Sequence, residues 1–154
     1  MKKMIALFTF TLISAMMFAF DGGGTTVKNQ DKTPESGDVV VMNKEMFLND
    51  VFNYQTTNNW QYKGDKPAII DFYADWCGPC RQTAPIMKEL AKDYAGQIII
   101  YKVNVDKEKE LAALFEAKSI PLFVFIPMKG EPQLFRGAAD KATYKKAIDD
   151  FLLK

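Results

Sequence analysis

An apolar run from Pro67 to Tyr73 leads almost at once into a helix-period segment that opens on Cys77-Gly78-Pro79-Cys80, and this junction constrains the chain more than any other feature. The run, with Ala68-Ile69-Ile70 near its start, reads as a fully buried strand. The segment after it reads as a helix from Cys77 into the region of Tyr94. Met87, Leu90, Ala91 and Tyr94 lie on its inner face, and Gly96 is its stop signal. A buried strand feeding an amphipathic helix is half of a strand–helix–strand unit, so a sheet with helices packed on it is expected.

The rest of the chain continues the alternation. Val39 to Met42 is a short β-rich run, and Lys44 to Asn53 places Met46, Phe47 and Val51 at helical spacing. Tyr54 to Lys66 is polar, contains Asn58-Asn59 and Gly64-Asp65, and reads as a loop. Gln97 to Val105 is an Ile/Val-rich strand, followed by a helix from about Lys107 to Ala117 with Leu111, Leu114 and Phe115 facing inward. Pro121 to Ile126 is a strand, Met128 to Glu131 a turn, and Gln133 to Arg136 an edge strand after Pro132. A last helix from about Lys141 aligns Tyr144, Ile148, Phe151 and Leu152 in one stripe. The fold class is α/β: a central mixed sheet with helices on both faces, closed by a hairpin, with no internal repeat.

At 154 residues the chain accommodates one domain with a real core. Lys and Arg exceed Asp and Glu by only one and form no basic stripe, so nucleic acid is not an expected partner. Histidine is absent, which removes Ser-His and Cys-His nucleophile pairs and every His-containing metal site. Cysteine occurs only at Cys77 and Cys80, so no second CxxC can complete a zinc tetrahedron, and neither a metal nor an organic cofactor is expected.

Residues 1–20 look like a signal peptide or N-terminal anchor. Lys2 and Lys3 precede an apolar stretch from Met4 to Phe20, which is an export signature. Its length lies between a signal h-region and a membrane span; cleavage is favoured over anchoring, although no Ala-x-Ala site follows. Residues 21–37 are rich in Gly, Thr, Lys, Asp and Pro and read as a flexible linker, which leaves residues 38–154 as the folded domain. With the lysines on the cytoplasmic side, that domain is placed outside the cytoplasmic membrane, most naturally in a periplasm. The membrane would then be met only through an uncleaved N-terminus.

Cys77 follows a buried strand at the start of a helix, where backbone N–H groups and the helix dipole favour an anion, here a thiolate. Cys80 lies on the same face one turn deeper, placed to attack a mixed disulfide formed by Cys77. Gly78 permits the tight turn, and Pro79 fixes φ where an N–H has no intrahelical partner. A metal knuckle would need two further soft or imidazole ligands that the chain lacks, and an isolated structural bridge across so small a loop would gain little chain entropy.

The segment Asp71-Phe72-Tyr73-Ala74-Asp75-Trp76-Cys77-Gly78-Pro79-Cys80 resembles thioredoxin. The similarity extends over residues 38–154: Pro85 matches the proline within the family's active-site helix, and Lys102-Val103-Asn104-Val105-Asp106 its next strand. Ile120-Pro121 matches its cis-proline loop and Gly137-Ala138 its last groove segment. The resemblance implies a thioredoxin-like fold and thiol–disulfide exchange on protein substrates, with Cys77 as nucleophile, Cys80 as resolving thiol and a reversible Cys77–Cys80 disulfide. It implies that Trp76, Ile120, Pro121, Gly137 and Ala138 form an apolar substrate groove. It also implies that Asp71, desolvated in its strand and modulated by Lys102, moves the proton of Cys80. The competing reading of Asp71 is a carboxylate neutralised by Lys102 without a kinetic role.

Gly-Pro between the cysteines is the dipeptide of the family's reducing branch, implying a protein-disulfide reductase; outside the cytoplasm it needs a membrane or extracytoplasmic electron donor. The alternatives are an oxidase or isomerase, or a client-binding module with incidental redox activity. A monomer is expected. The chain departs from the family at Tyr73, Leu122 and Arg136, where tryptophan, threonine and an apolar residue are usual. Arg136 leads us to expect a preference for acidic substrate flanks, while Arg81 reads as solvated helix surface.

Overall fold

The structure, a computed structural model, describes residues 37–154; the expected signal or anchor and nearly all of the expected linker lie outside the described residues. The elements are β1 (Val39–Val41), α1 (Lys44–Asp50), β2 (Ala68–Tyr73), α2 (Gly78–Asp93), β3 (Ile99–Asn104), α3 (Lys109–Leu114), β4 (Leu122–Ile126), β5 (Gln133–Arg136) and α4 (Lys141–Ala147), which continues as a π-helical turn over Ile148–Leu152. The strands form one sheet in the order β1-β3-β2-β4-β5. The pairings β1·β3 and β3·β2 are parallel, whereas β2·β4 and β4·β5 are antiparallel. This is the mixed α/β sheet expected from the alternation.

The strand with the most continuous apolar run, β2, takes the centre because both its edges and both its faces can then be covered. Successive side chains alternate between faces. Ala68, Ile70 and Phe72 meet Phe47 of α1 and Leu111 of α3 in one core. Ile69 instead faces Met87, Leu90 and Ala91 of α2, and Tyr144 of α4 with Ile148 beyond it. Asp71 therefore shares the α2 side with Ile69, a charged group on an otherwise apolar face.

Caps hold the helices where the sequence carries side-chain acceptors. Asn43 Oδ1 accepts from Met46 N at 2.8 Å at the start of α1, and Asp140 Oδ1 accepts from Thr143 N at 2.9 Å at the start of α4. Helix α3 is shorter than its pattern suggests. It ends at Leu114 with Phe115 as its C-cap, followed by Glu116 in the left-handed region at φ 50°, and Leu114 is exposed rather than inward. A helix this short presents a narrow inner arc, which Leu111 and Phe115 fill; Phe115 packs against Phe47 at 5.6 Å and Phe72 at 5.3 Å.

The segment between α1 and β2 has no regular structure, as its polarity suggests, but its aromatics tie it down. Trp60 packs on Phe52 at 4.9 Å, Tyr54 donates to Glu110 Oε1 at 2.8 Å, and Tyr62 donates to the Lys66 carbonyl at 2.5 Å.

Candidate active site

The sheet register assembles the site at one end of the sheet. Strand β2 ends at Tyr73 and passes through Ala74-Asp75-Trp76 into α2, while antiparallel β4 begins beside it with Phe72 paired to Leu122. Pro121, one residue before β4, therefore lies next to the β2–α2 turn. Strand β5 pairs Arg136 with Leu122, which carries the next residue, Gly137, onto Pro121: Gly137 N donates to the Pro121 carbonyl at 2.9 Å. Gly137 has φ 92°, a conformation that L side chains rarely adopt. Four stretches far apart in sequence thus converge: Trp76 to Cys80, Asn104 to Asp106, Ile120-Pro121 and Gly137-Ala138.

Cys77 is the N-cap of α2, with Cys80 N donating to its sulfur at 3.2 Å. That N–H is one of the donors that a helix start leaves without an intrahelical acceptor, and the helix dipole points its positive end at the same atom. A thiolate at Cys77 is stabilised by both. Cys77 and Cys80 are joined by a disulfide with Cα atoms 5.3 Å apart, and both are buried. Ala74, Tyr73, Val105 and Ile120 pack around them.

The Ile120–Pro121 bond is cis, and the Ile120 carbonyl lies 3.8 Å from Cys77 Sγ. Ile120 enters no backbone hydrogen bond among the described residues, so its N–H and carbonyl are left beside the disulfide for an extended chain to pair with. Trp76 stands at the rim, 67% exposed, held by its indole N–H donating to Asp106 Oδ2 at 2.9 Å. Asp106 is fixed in turn: its N–H donates to Asn104 Oδ1 at 2.9 Å, and Asn104 Nδ2 donates to Asp75 Oδ2 at 3.4 Å. Sequence reasoning missed Asp75, Asn104 and Asp106 as supports of the site. Their one visible signal was a polar pair, Asn104 and Asp106, flanking the end of an Ile/Val-rich strand.

Asp71 is 5% exposed and its Oδ1 is buried without a hydrogen-bond partner. Burial raises it from the ordinary 3.8 to about 7, against the pull of Lys102, its partner in the β2–β3 register. No ion pair joins the two among the described residues. The Lys102 ammonium lies over the Tyr73 ring at 5.6 Å and acts on Asp71 through its charge alone. Nor does a hydrogen bond link Asp71 to Cys80. A carboxyl with this proton affinity can hold or release a proton near neutral pH. Arg136 is exposed at the far end of the groove, its guanidinium donating to the Glu116 carbonyl at 3.1 Å, and Arg81 lies on the α2 surface, donating to the Asp75 carbonyl at 3.2 Å.

Comparison with known proteins agrees with this geometry. The thioredoxin family model matches residues 39–150. Thioredoxin of Borreliella burgdorferi is 39% identical over 112 residues, covering 73% of this chain and 96% of the relative. Thioredoxin M-type, chloroplastic, of Pisum sativum is 40% identical over 88 residues, 57% of this chain and 51% of the relative. Thioredoxin 1 of Chlorobaculum tepidum is 44% identical over 73 residues, 47% of this chain and 72% of the relative. With a cysteine pair at a helix N-terminus beside a cis-proline loop, on a five-stranded mixed sheet, the chain belongs to the thioredoxin family and is a thioredoxin-type protein-disulfide oxidoreductase.

Proposed function

We propose that this chain is a protein-disulfide reductase that works outside the cytoplasm and is recharged by a membrane or extracytoplasmic electron donor. The observation that carries the reading is Cys77 capping α2 with the Cys80 N–H on its sulfur, beside the unpaired backbone of Ile120. A substrate strand pairs with Ile120, and the Cys77 thiolate attacks one substrate sulfur to form a mixed disulfide while the other leaves as a thiolate. Cys80, giving its proton to Asp71 through water, attacks Cys77 Sγ; the second substrate sulfur leaves and the Cys77–Cys80 disulfide forms. Two electrons pass from the dithiol to the substrate.

The location is supported by Lys2-Lys3 followed by the apolar stretch from Met4 to Phe20. The direction is supported by Gly78-Pro79 between the cysteines. Thioredoxin's own reference potential is about −270 mV against about −120 mV for the periplasmic oxidant, a downhill transfer of roughly 7 kcal/mol, so a reductant in that compartment needs a donor.

The deciding measurement is the equilibrium potential of the purified protein against glutathione. A value near the thioredoxin reference supports the reductase; one well above about −200 mV makes the protein an oxidant or isomerase. Cys80→Ser should trap disulfide-linked clients through Cys77, and a client set unchanged when Cys77 is also removed would instead mark a binding module. Arg136 at the groove end favours acidic substrate flanks; equal rates for acidic and basic peptides with the wild type and Arg136→Glu would remove that preference.

A further inference from the structure

Between α2 and the adjoining strands β1, β3 and β2 lies a cavity of about 430 Å³, a volume in the range of small-molecule sites. Ala84, Lys88 and Lys92, at i, i+4 and i+8 on α2, form one wall, and Lys102 of β3 faces them across Asp71. Gly37, Asp38 and Val39 close the other side.

The lining is chemically lopsided. Its side-chain donors are three ammonium groups, and among the described residues none of the three is in an ion pair with a carboxylate. Three ammonium groups outnumber the carboxyls of Asp38 and Asp71 on the same lining, which leaves an excess of positive potential in the concavity. Asp71, more than nine-tenths buried at the cavity's edge, has an oxygen with no hydrogen-bond partner. The lining offers no hydroxyl and no side-chain amide. Lysines that accept nothing, beside a carboxyl that can donate or accept, match a ligand with several anionic oxygens and an ionisable proton of its own. A hydrogenphosphate group is the simplest such ligand.

We propose that this cavity is a binding site for a small phosphate-type polyanion, held by Lys88, Lys92 and Lys102 with Asp71 sharing a proton with one of its oxygens. None of Trp76, Cys77, Cys80, Ile120, Pro121 or Gly137 lines the cavity, so occupancy would act on exchange only through Asp71. Lys102 from β3 acts on Asp71 directly and the Tyr144 phenol from α4 is coupled to it, Lys88 and Lys92 from α2 and Asp38 beside β1 share its cavity, and its neighbour on β4, Phe123, is uncharged. An anion among the lysines disfavours the Asp71 carboxylate, so the pH midpoint of the Cys80 step should move upward when the site is filled. That consequence, unlike binding itself, rests on the exchange reading.

The test is calorimetric titration of the oxidised full chain with inorganic pyrophosphate at pH 7 and fixed ionic strength. Saturable binding in the sub-millimolar range is expected. It should weaken at least about tenfold in a Lys88→Ser/Lys92→Ser double variant, and less than about threefold when Lys107 and Lys109, equally exposed but outside the cavity lining, are changed the same way, since screened surface charge alone is worth little. Equal losses in the two double variants, or no saturation by 10 mM, which is about a 3 kcal/mol interaction, would overturn the site. A Cys77→Ser chain should bind as the wild type does, so failure of the exchange reading leaves this measurement intact. With binding established, a rate–pH profile of exchange that pyrophosphate leaves unmoved would overturn the coupling to Asp71.

Discussion

A single carboxyl and a single indole show how the site is set residue by residue. Asp71 is carried into an apolar face by the alternation of β2, and desolvation leaves its proton affinity near neutral pH. The same shift makes stability depend on pH. The folded state binds the Asp71 proton more tightly than the unfolded one, so stability is fullest below the ordinary value of 3.8 and declines as pH rises to about 7. The decline is on the order of 4 kcal/mol at about 1.4 kcal/mol per pH unit. Asp71→Asn should therefore stabilise the oxidised protein at pH 8 by about 1–3 kcal/mol, less than the whole because the amide also lacks partners, with the gain vanishing near pH 4. Urea unfolding at the two pH values checks this; a gain of equal size at both would mean that desolvated charge is not the cause. Trp76 depends on its neighbour in a different way. Removing the indole's acceptor in Asp106→Ala should raise the KM for a peptide disulfide roughly threefold to tenfold and leave kcat unchanged, as expected for the loss of one hydrogen bond that positions the rim. A fall in kcat with KM unmoved would place Asp106 in the chemistry instead.

At the scale of elements, α3 separates what a periodic pattern says from what packing does. Leu111, Leu114 and Phe115 all fit an inward stripe, yet only Leu111 is fully buried, and Leu114 is 42% exposed. The same substitution at the two leucines should then differ sharply. Leu111→Ala leaves a cavity in the core beneath Phe47 and Phe72 and should cost about 2–5 kcal/mol, whereas Leu114→Ala should stay within about 0.5 kcal/mol. Unfolding free energies of both variants decide it, and comparable losses would mean that α3 is rotated relative to the sheet. Helix α2 shows the complementary case. Its inner face was legible because Met87, Leu90, Ala91 and Tyr94 all meet the sheet, and its start was legible because Cys77-Gly78-Pro79 carries the signature of a helix N-terminus. Lys88 and Lys92 on its outer side carry no apolar signal, and only the order β1-β3-β2 brings Lys102 into one lining with them.

For the whole molecule, legibility followed burial. Strands β2, β3 and β4 were readable because strands covered on both faces become apolar runs, and the lone carboxylate in β2 was conspicuous for the same reason. The links Trp76–Asp106–Asn104–Asp75 were not readable, because polar side chains in turns look alike until the sheet register decides which of them meet. The segment between α1 and β2 read as a loop, but the docking of Trp60 and Tyr62 needed the surrounding core to be visible. All five strands, both large cores and every residue of the candidate site fall within residues 39–154. No helix among the described residues is long and apolar enough to cross a membrane. Apolar burial on both faces of one sheet is what makes unfolding cooperative. A chain beginning at Gly37 should therefore unfold in one urea transition with an m-value of about 1–3 kcal/mol/M, and its exchange rate with a peptide disulfide should match that of the full chain within about twofold. Two transitions, or an exchange rate more than tenfold lower, would show that residues before Gly37 take part in the fold or the site.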